Sequence, residues 1–375
     1  MPFSLAIPRR AVTPRDRVGL LSGPGVLQFR GSFGKGNAMT DIAFDSNIRE
    51  PGTGRLDIAT LRELGTRASF PWLTDAAMDW LFIAAAIAAI SLWPHFYTVL
   101  FGVLVIGNRQ HALAILGHDG THYTLSRNPA LNDFLTNLLC FWPLGLTVSG
   151  YRALHYAHHK NTGTENDPEL GHKRMRAPQW DLPAKPRTVL RYALMDLIGY
   201  SFADYIIIVR FSKPQRRRAY LPLALFHVLA VSTVLWLGCW QAAAVWYFSL
   251  VTSFMMFFRL RLWLEHQGTG DTQRLALTWC QGAILSPHNA WHHWEHHKYP
   301  IIPYHKLPQV RQRLSGPAIL TLRDLMAAFA SARPIPSGTA LKVPAETFTS
   351  WPAADVTAIR QAIRRKGVVL KRKLH

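Results

Sequence analysis

Two pairs of long apolar runs set the limits on what this chain can become. The first pair is Ala77–Trp93 and a run from Phe96 through Ile106 that continues as NRQHALAILGHDGTH. The second is Ala219–Leu237 and Gln241–Phe258, which continues as RLRLWLEHQG. Pro94 separates the first two runs and Gly238-Cys239 the second two, so each pair reads as a helical hairpin. A helix from His95 to His122 would be roughly 42 Å long, whereas the hydrocarbon core of a bilayer is about 30 Å thick. The last turns, with His118 and His122, should stand out of the membrane. A helix reaching His266 in the second pair, roughly 40 Å long, brings that residue out on the same side. The expected fold is an all-α integral membrane protein. It has two transmembrane helical hairpins (four spans), interfacial helices and a histidine-rich metal site on the cytoplasmic face.

Charge placement agrees. The chain has 42 Lys and Arg against 22 Asp and Glu, a formal +20. On a soluble protein that balance would point to nucleic acid. Here the basic residues lie outside the apolar runs and crowd 152–218 and 259–375, while the loops around Pro94 and Gly238 carry none. This is the positive-inside pattern of a membrane protein, with the bilayer rather than nucleic acid as partner. Leu131–Gly150 is apolar enough to span, but a full crossing would put His118 and His155 on opposite faces, so an interfacial or re-entrant helix is expected. Tyr192–Phe211, which contains Asp196, Asp204 and Arg210, is expected at the interface too.

Residues 1–72 are rich in Gly, Pro and Arg, aperiodic and without a signal-peptide core. They read as a basic, mostly disordered arm within which Met39 is a candidate true start. Residues 73–312 form the membrane unit and 313–375 a basic tail, whose amphipathic Leu320–Phe329 and final KGVVLKRKLH suit anionic headgroups. Cys140, Cys239 and Cys280 offer neither a disulfide framework nor a metal knuckle and are expected to be small packing residues.

The function lies in the 17 histidines. His118-x-x-x-His122 puts two imidazoles on one helical face. His155-x-x-His158-His159 and His293-x-x-His296-His297 repeat one spacing far apart in the chain, and His266 makes a ninth candidate. Nine imidazoles are too many for one tetrahedral zinc and suit two metal ions with open positions; iron, zinc and copper all accept imidazole. His-Glu-x-x-His is absent, which argues against a zinc protease. Haem would use one or two of these histidines, and a metal transporter would place its ligands inside the membrane rather than at helix ends.

These motifs resemble the membrane fatty acid desaturase superfamily, the histidine-box di-iron enzymes. The likeness runs from about Trp80 to Pro308 and takes in Asp167-Pro168 and Pro300-x-x-Pro303-Tyr304-His305-x-Leu307-Pro308. It implies two irons, O2 as co-substrate and electrons from a separate ferredoxin-, rubredoxin- or cytochrome-type donor. By the same likeness the ligands are His118, His122, His155, His158, His159, His293, His296 and His297, with His266 as an extra one. The implied reaction is desaturation of a lipid acyl chain. Hydroxylation or ketolation of a lipid, carotenoid or small amphiphile is the alternative, and a non-catalytic metal-binding membrane protein a further one.

Neighbouring polar residues can be sorted in advance. Asp119, Asp167 and Glu295 are candidate acceptors for imidazole N–H groups, or else solvated or capping residues. Asn289 is a candidate to support a metal-bound water, or a helix cap. His95 and His227 are expected to be hydrogen-bonded structural residues, and His111 a packed polar one, with an approach to the substrate channel as the alternative. His288, His292 and His305 adjoin the third box and are expected to support it or to be structural. His172 and His375 carry no signal.

Overall fold

A computed structural model describes residues 55–214 and 216–331. The arm up to residue 54, with Met39, and the tail beyond 331 fall outside the described residues. A short helix, α1 (Ile58–Leu64), precedes two long apolar ones, α2 (Ser69–Leu92) and α3 (Phe96–Gly120). The later pair is α9 (Tyr220–Trp236), α10 (Trp240–Val251) and α11 (Ser253–Glu265). Ser69–Leu92, Phe96–Gly120, Arg217–Trp236 and Trp240–Glu265 are each long and apolar enough to cross a membrane. The last of these is not one straight helix. It breaks at Thr252, whose φ of −121° and ψ of −90° lie outside helical values.

Between the hairpins lie short helices: α4 (Pro129–Thr136), α5 (Val148–Asn161), α6 (Pro168–Met175), α7 (Pro186–Asp196) and α8 (Phe202–Phe211). The apolar stretch 131–150 therefore does not form a span; α4 runs into a π-turn at Asn137–Phe141 and then a loop. Tyr192–Phe211 divides between α7 and α8. After α11 come α12 (Trp279–Leu285), α13 (His293–Lys298), α14 (Leu307–Arg313) and α15 (Leu322–Ser331). Two two-residue strands, β1 (Leu275–Ala276) and β2 (Leu320–Thr321), pair in parallel, Leu275 opposite Leu320. The all-α expectation is corrected to that small extent.

Three helices make the centre, and small residues let them approach. A Cβ on Gly107 of α3 would meet Ser253 Oγ at 2.1 Å, and that hydroxyl donates to Val103 O at 2.6 Å, so α3 and α11 cross almost backbone to backbone. On the other side Trp72 of α2 is buried and donates its indole N–H to Leu116 O at 3.1 Å. Trp80 stacks on Trp246 of α10 at 5.3 Å. By contrast, none of the most apolar 18-residue stretch of Arg217–Trp236 is buried within the protein.

The flanks differ from expectation. Residues 55–72 are not wholly an unstructured arm. Leu64 is buried, and the Leu56 amide donates to the Tyr299 hydroxyl at 3.0 Å. The amphipathic stretch Leu320–Phe329, expected on lipid, turns its apolar residues Leu325 and Phe329 into the protein, with the Phe329 ring 5.1 Å from that of Trp263. A buried tryptophan offers these residues the same relief from water that lipid would. Of the cysteines, only Cys140 is buried; Cys239 and Cys280 are exposed, so packing does not account for them.

Candidate metal centre

All nine singled-out histidines meet at the ends of α3, α5, α11 and α13. They sort into two groups whose candidate ligand atoms lie within 4.8 Å of one another: His118, His122, His155, His159 and His296, and His158, His266, His293 and His297. The grouping does not follow the boxes. On α5, His155 and His159 are one turn apart and face the first group, while His158, rotated by about 100° from His159, faces the second. On α13, His296 joins the first group and His293 and His297 the second.

In the first group, His155 Nε2 lies 2.9 Å from His122 Nε2 and 2.8 Å from His159 Nε2. His118 Nε2 and His296 Nε2 are buried with no hydrogen-bond partner. Among the described residues no carboxylate pairs with these five rings. In the second group, His266 Nε2 lies 3.1 Å from His158 Nε2 and 2.8 Å from His293 Nε2, and His297 Nε2 is buried without a partner.

Here the outward nitrogens are engaged. His158 Nδ1 sits 2.9 Å from Asp167 Oδ1, and His266 Nδ1 2.9 Å from the Asp271 carbonyl. His293 Nδ1 is 3.3 Å from Glu265 Oε1, and His297 Nδ1 3.5 Å from Thr162 Oγ1. A carbonyl or carboxylate only accepts, so the proton sits on Nδ1 and the Nε2 lone pair points inward.

Local sequence explains the placement. Asp167 caps α6, accepting from the Glu169 amide at 2.9 Å, with Pro168 at the first helical position. The same carboxylate thereby holds His158. Thr121 closes α3 by donating to the His118 carbonyl at 2.6 Å.

Electrostatics suit cation binding. Burial holds His155, His159, His293, His296 and His297 well below the usual imidazole value, and puts His122 at about 3 and His266 at about 4. Burial also lowers His158, but Asp167 outweighs it and the net shift is upward. Nine imidazoles, six buried and three partly buried, bring ring nitrogens together without the donors that normally satisfy such atoms. Metal ions are the partners that this donor set fits.

The neighbouring residues do not all behave as expected. Asp167 accepts from a box imidazole. Asp119 does not; it accepts from the Thr124 hydroxyl at 2.5 Å and the Tyr304 amide at 3.1 Å. Nor does Glu295, which is clamped by Arg274 at 2.7 Å and Arg311 at 2.9 Å. Asn289 caps no helix, since His292 occupies that position of α13; its carbonyl accepts from the His292 amide at 2.9 Å.

Sequence reasoning missed Glu265 and the Asp271 carbonyl. Glu265 directly precedes His266 and lies four residues after Arg261, which donates to it at 2.5 Å; that i,i+4 pair was the available signal.

The supporting histidines divide. His288 lies 2.7 Å from Asp79 and 3.4 Å from Asp75, tying the segment before the third box to α2. His288 and Asn289 both have positive φ, 52° and 56°. His227 meets the Tyr247 hydroxyl at 2.8 Å, and His172 pairs with Asp204 at 3.1 Å. His95 is exposed. His111 is fully buried with neither ring nitrogen partnered.

The likeness to known proteins is broad. A family model described as fatty acid desaturase matches residues 91–320. The chain is 27% identical over 265 residues to dihydrorhizobitoxine desaturase of Bradyrhizobium elkanii, covering 64% of this chain and 75% of that protein. It is 24% identical over 256 residues to a beta-carotene ketolase of a Paracoccus species, covering 64% and 84%. Over 118 residues it is 29% identical to a Nostoc sn-1 acyl-lipid omega-3 desaturase (ferredoxin), covering 32% of each chain. Box spacing, helical architecture and family match agree that the chain belongs to the fatty acid desaturase family, oxidoreductases of the desaturase and oxygenase type.

Proposed function

We propose that this chain is an integral-membrane, O2-dependent di-iron oxidoreductase that introduces a double bond into a lipid acyl chain, with electrons from a separate ferredoxin-, rubredoxin- or cytochrome-type carrier. The observation that carries the reading is the convergence of nine imidazoles, six buried and three partly buried, into groups of five and four at the heads of the long helices. His118, His122, His155, His159 and His296 would hold one iron, and His158, His266, His293 and His297 the other. Bound iron would supply, with O2 and electrons, the oxidising power to take hydrogen from an unactivated C–H bond.

The chain's own residues prepare that chemistry. Six of the nine rings are buried, which limits water at the two groups, so an oxidant would meet substrate more readily than solvent. Asp167, Glu265 and the Asp271 carbonyl hold protons on Nδ1 and leave Nε2 free to ligate. A lipid-like chain would enter between the helices of the two hairpins. In this reading residues 73–312 are the catalytic unit, and the N-terminus, the segment between the hairpins and the C-terminus share the cytoplasmic face, a placement that the Lys and Arg distribution supports.

A second outcome, hydroxylation or ketolation, is favoured by the ketolase among the similar proteins. The boxes are common to both outcomes, because a small displacement of the reacting carbon decides between losing a second hydrogen and gaining oxygen. Metal analysis of purified protein tests the shared part: about two irons per chain and O2 consumption are expected, whereas zinc alone with no O2 consumption would leave a metal-binding membrane protein. Lipid and metabolite profiles of cells with and without the gene then separate an unsaturated product from an oxygenated one.

A further inference from the structure

Glu169, in the first turn of α6, places a carboxylate at the edge of the second imidazole group, beside His158 and His266. Its Oε2 lies 3.9 Å from His158 Nε2 and 3.9 Å from His266 Nε2, and those two nitrogens are 3.1 Å apart. Both are inward nitrogens, since Asp167 and the Asp271 carbonyl occupy the outward ones. A triangle with sides of 3.9, 3.9 and 3.1 Å has a circumradius of about 2.1 Å. That is the bond length, about 2.0–2.2 Å, that imidazole nitrogen and carboxylate oxygen make to a first-row divalent metal. One point therefore lies at ligand distance from all three atoms.

We infer that Glu169 is a ligand of the metal ion in the four-imidazole group. The inference rests on the two-metal reading above and adds a donor to it. It also evens the two groups: five imidazoles on one side, four imidazoles and a carboxylate on the other.

The other carboxylates nearby are committed elsewhere. Asp167 Oδ1 serves His158 and the Glu169 amide, and Asp167 Oδ2 accepts from the Gly163 amide at 3.1 Å. Glu265 meets the outward nitrogen of His293, not an inward one. Glu169 is oriented by Lys173, whose ammonium lies 2.7 Å from Oε1, one turn along α6. Lys173 is itself fixed by donating to the Leu262 carbonyl at 3.3 Å. This leaves Oε2 toward the imidazoles. A cavity of about 20 Å³, bordered by Glu169, Lys173, His266 and Asp271, adjoins the same side and has room for a single water. The competing account is that Glu169 merely neutralises Lys173.

The test uses the full chain in detergent or nanodiscs, reconstituted anaerobically with 57Fe(II), with iron per chain and Mössbauer spectra as readouts. Wild type should hold about two irons in two distinguishable doublets. Glu169→Gln should lose the second iron, falling to about one per chain and keeping one doublet unchanged. Lys173→Met should keep both irons. Two irons with unaltered doublets in Glu169→Gln would overturn the inference while leaving the two-metal reading intact. Wild type without iron would overturn both. If Glu169→Gln does not fold, as judged by thermal unfolding of the metal-free protein, Glu169→Asp replaces it. A shifted second doublet there supports ligation, and an unshifted one refutes it.

Discussion

The two imidazole groups draw on the same boxes but are supported in different ways. The five-membered group hangs mainly from two helices, with His118 at the end of α3 and His155 and His159 on α5. No carboxylate pairs with it among the described residues, and burial first, then the charges of neighbouring groups, hold His122, His155, His159 and His296 below the usual imidazole value. The four-membered group takes His266 from the residue that ends α11 and surrounds itself with Asp167, Glu265, Glu169 and a backbone carbonyl. In the four-membered group these acceptors orient the rings and fix which nitrogen faces inward.

The largest effect expected from this contrast is at the centre of the first group. His155→Ala removes the ring that touches both His122 and His159, so about one iron per chain and all detectable product should disappear. Retained turnover would break the division into two groups. Asp167→Asn should act on the other side alone: loss of the carboxylate–imidazole pair should weaken iron at the four-membered group about 10–100-fold and leave the other iron unchanged in an affinity titration. Equal weakening of both would erase the contrast.

His288 sharpens it from outside. Burial pulls this ring down, but Asp75 and Asp79 push it up to about 9, so it is held as a cation. Its folded value lies above the unfolded one near 6.5. The stability it contributes is therefore complete below pH 6.5 and lost as pH rises through about 9. We expect roughly 1–2 kcal/mol, discounted because Arg109 shares Asp79 at 3.0 Å. Unfolding of the metal-free protein should show His288→Gln less stable than wild type at pH 6 and equal to it at pH 10. The smallest effect belongs to Thr162→Val. Its contact with His297 is long, so iron affinity should change less than about threefold.

Much of the centre was legible in spacing, because i, i+3 and i+4 positions share a helical face whatever the rest of the chain does. The same geometry could not sort the neighbouring carboxylates. Glu295 is about 100° from His296 and Asp119 about 100° from His118, the offset by which His158 and His159 reach different groups. It is Arg274 and Arg311, and Thr124 and the Tyr304 amide, that occupy them. The four apolar helices were legible for a similar reason, since bilayer thickness writes itself into run length. What the sequence concealed is contact between distant segments. Glu265 meets His293 across the chain, α5 deals its histidines to both groups, and α15 folds back onto Trp263. The break at Thr252 has no proline or glycine to announce it.

The long helices carry one more consequence. From Phe96 to His118, α3 advances about 33 Å, and its first turn presents Phe96 and Tyr97, both exposed, beside exposed Trp93. In a bilayer such rings anchor at the headgroup level. The height of the imidazoles above the opposite interface then becomes the difference between a stiff rod and a soft slab. Thinner bilayers would lift the imidazoles clear and thicker ones draw them under, at a small cost per ångström of mismatch. Vesicles of graded acyl length would read this as a shift in which carbon of a lipid substrate reacts, making membrane thickness a ruler for the enzyme.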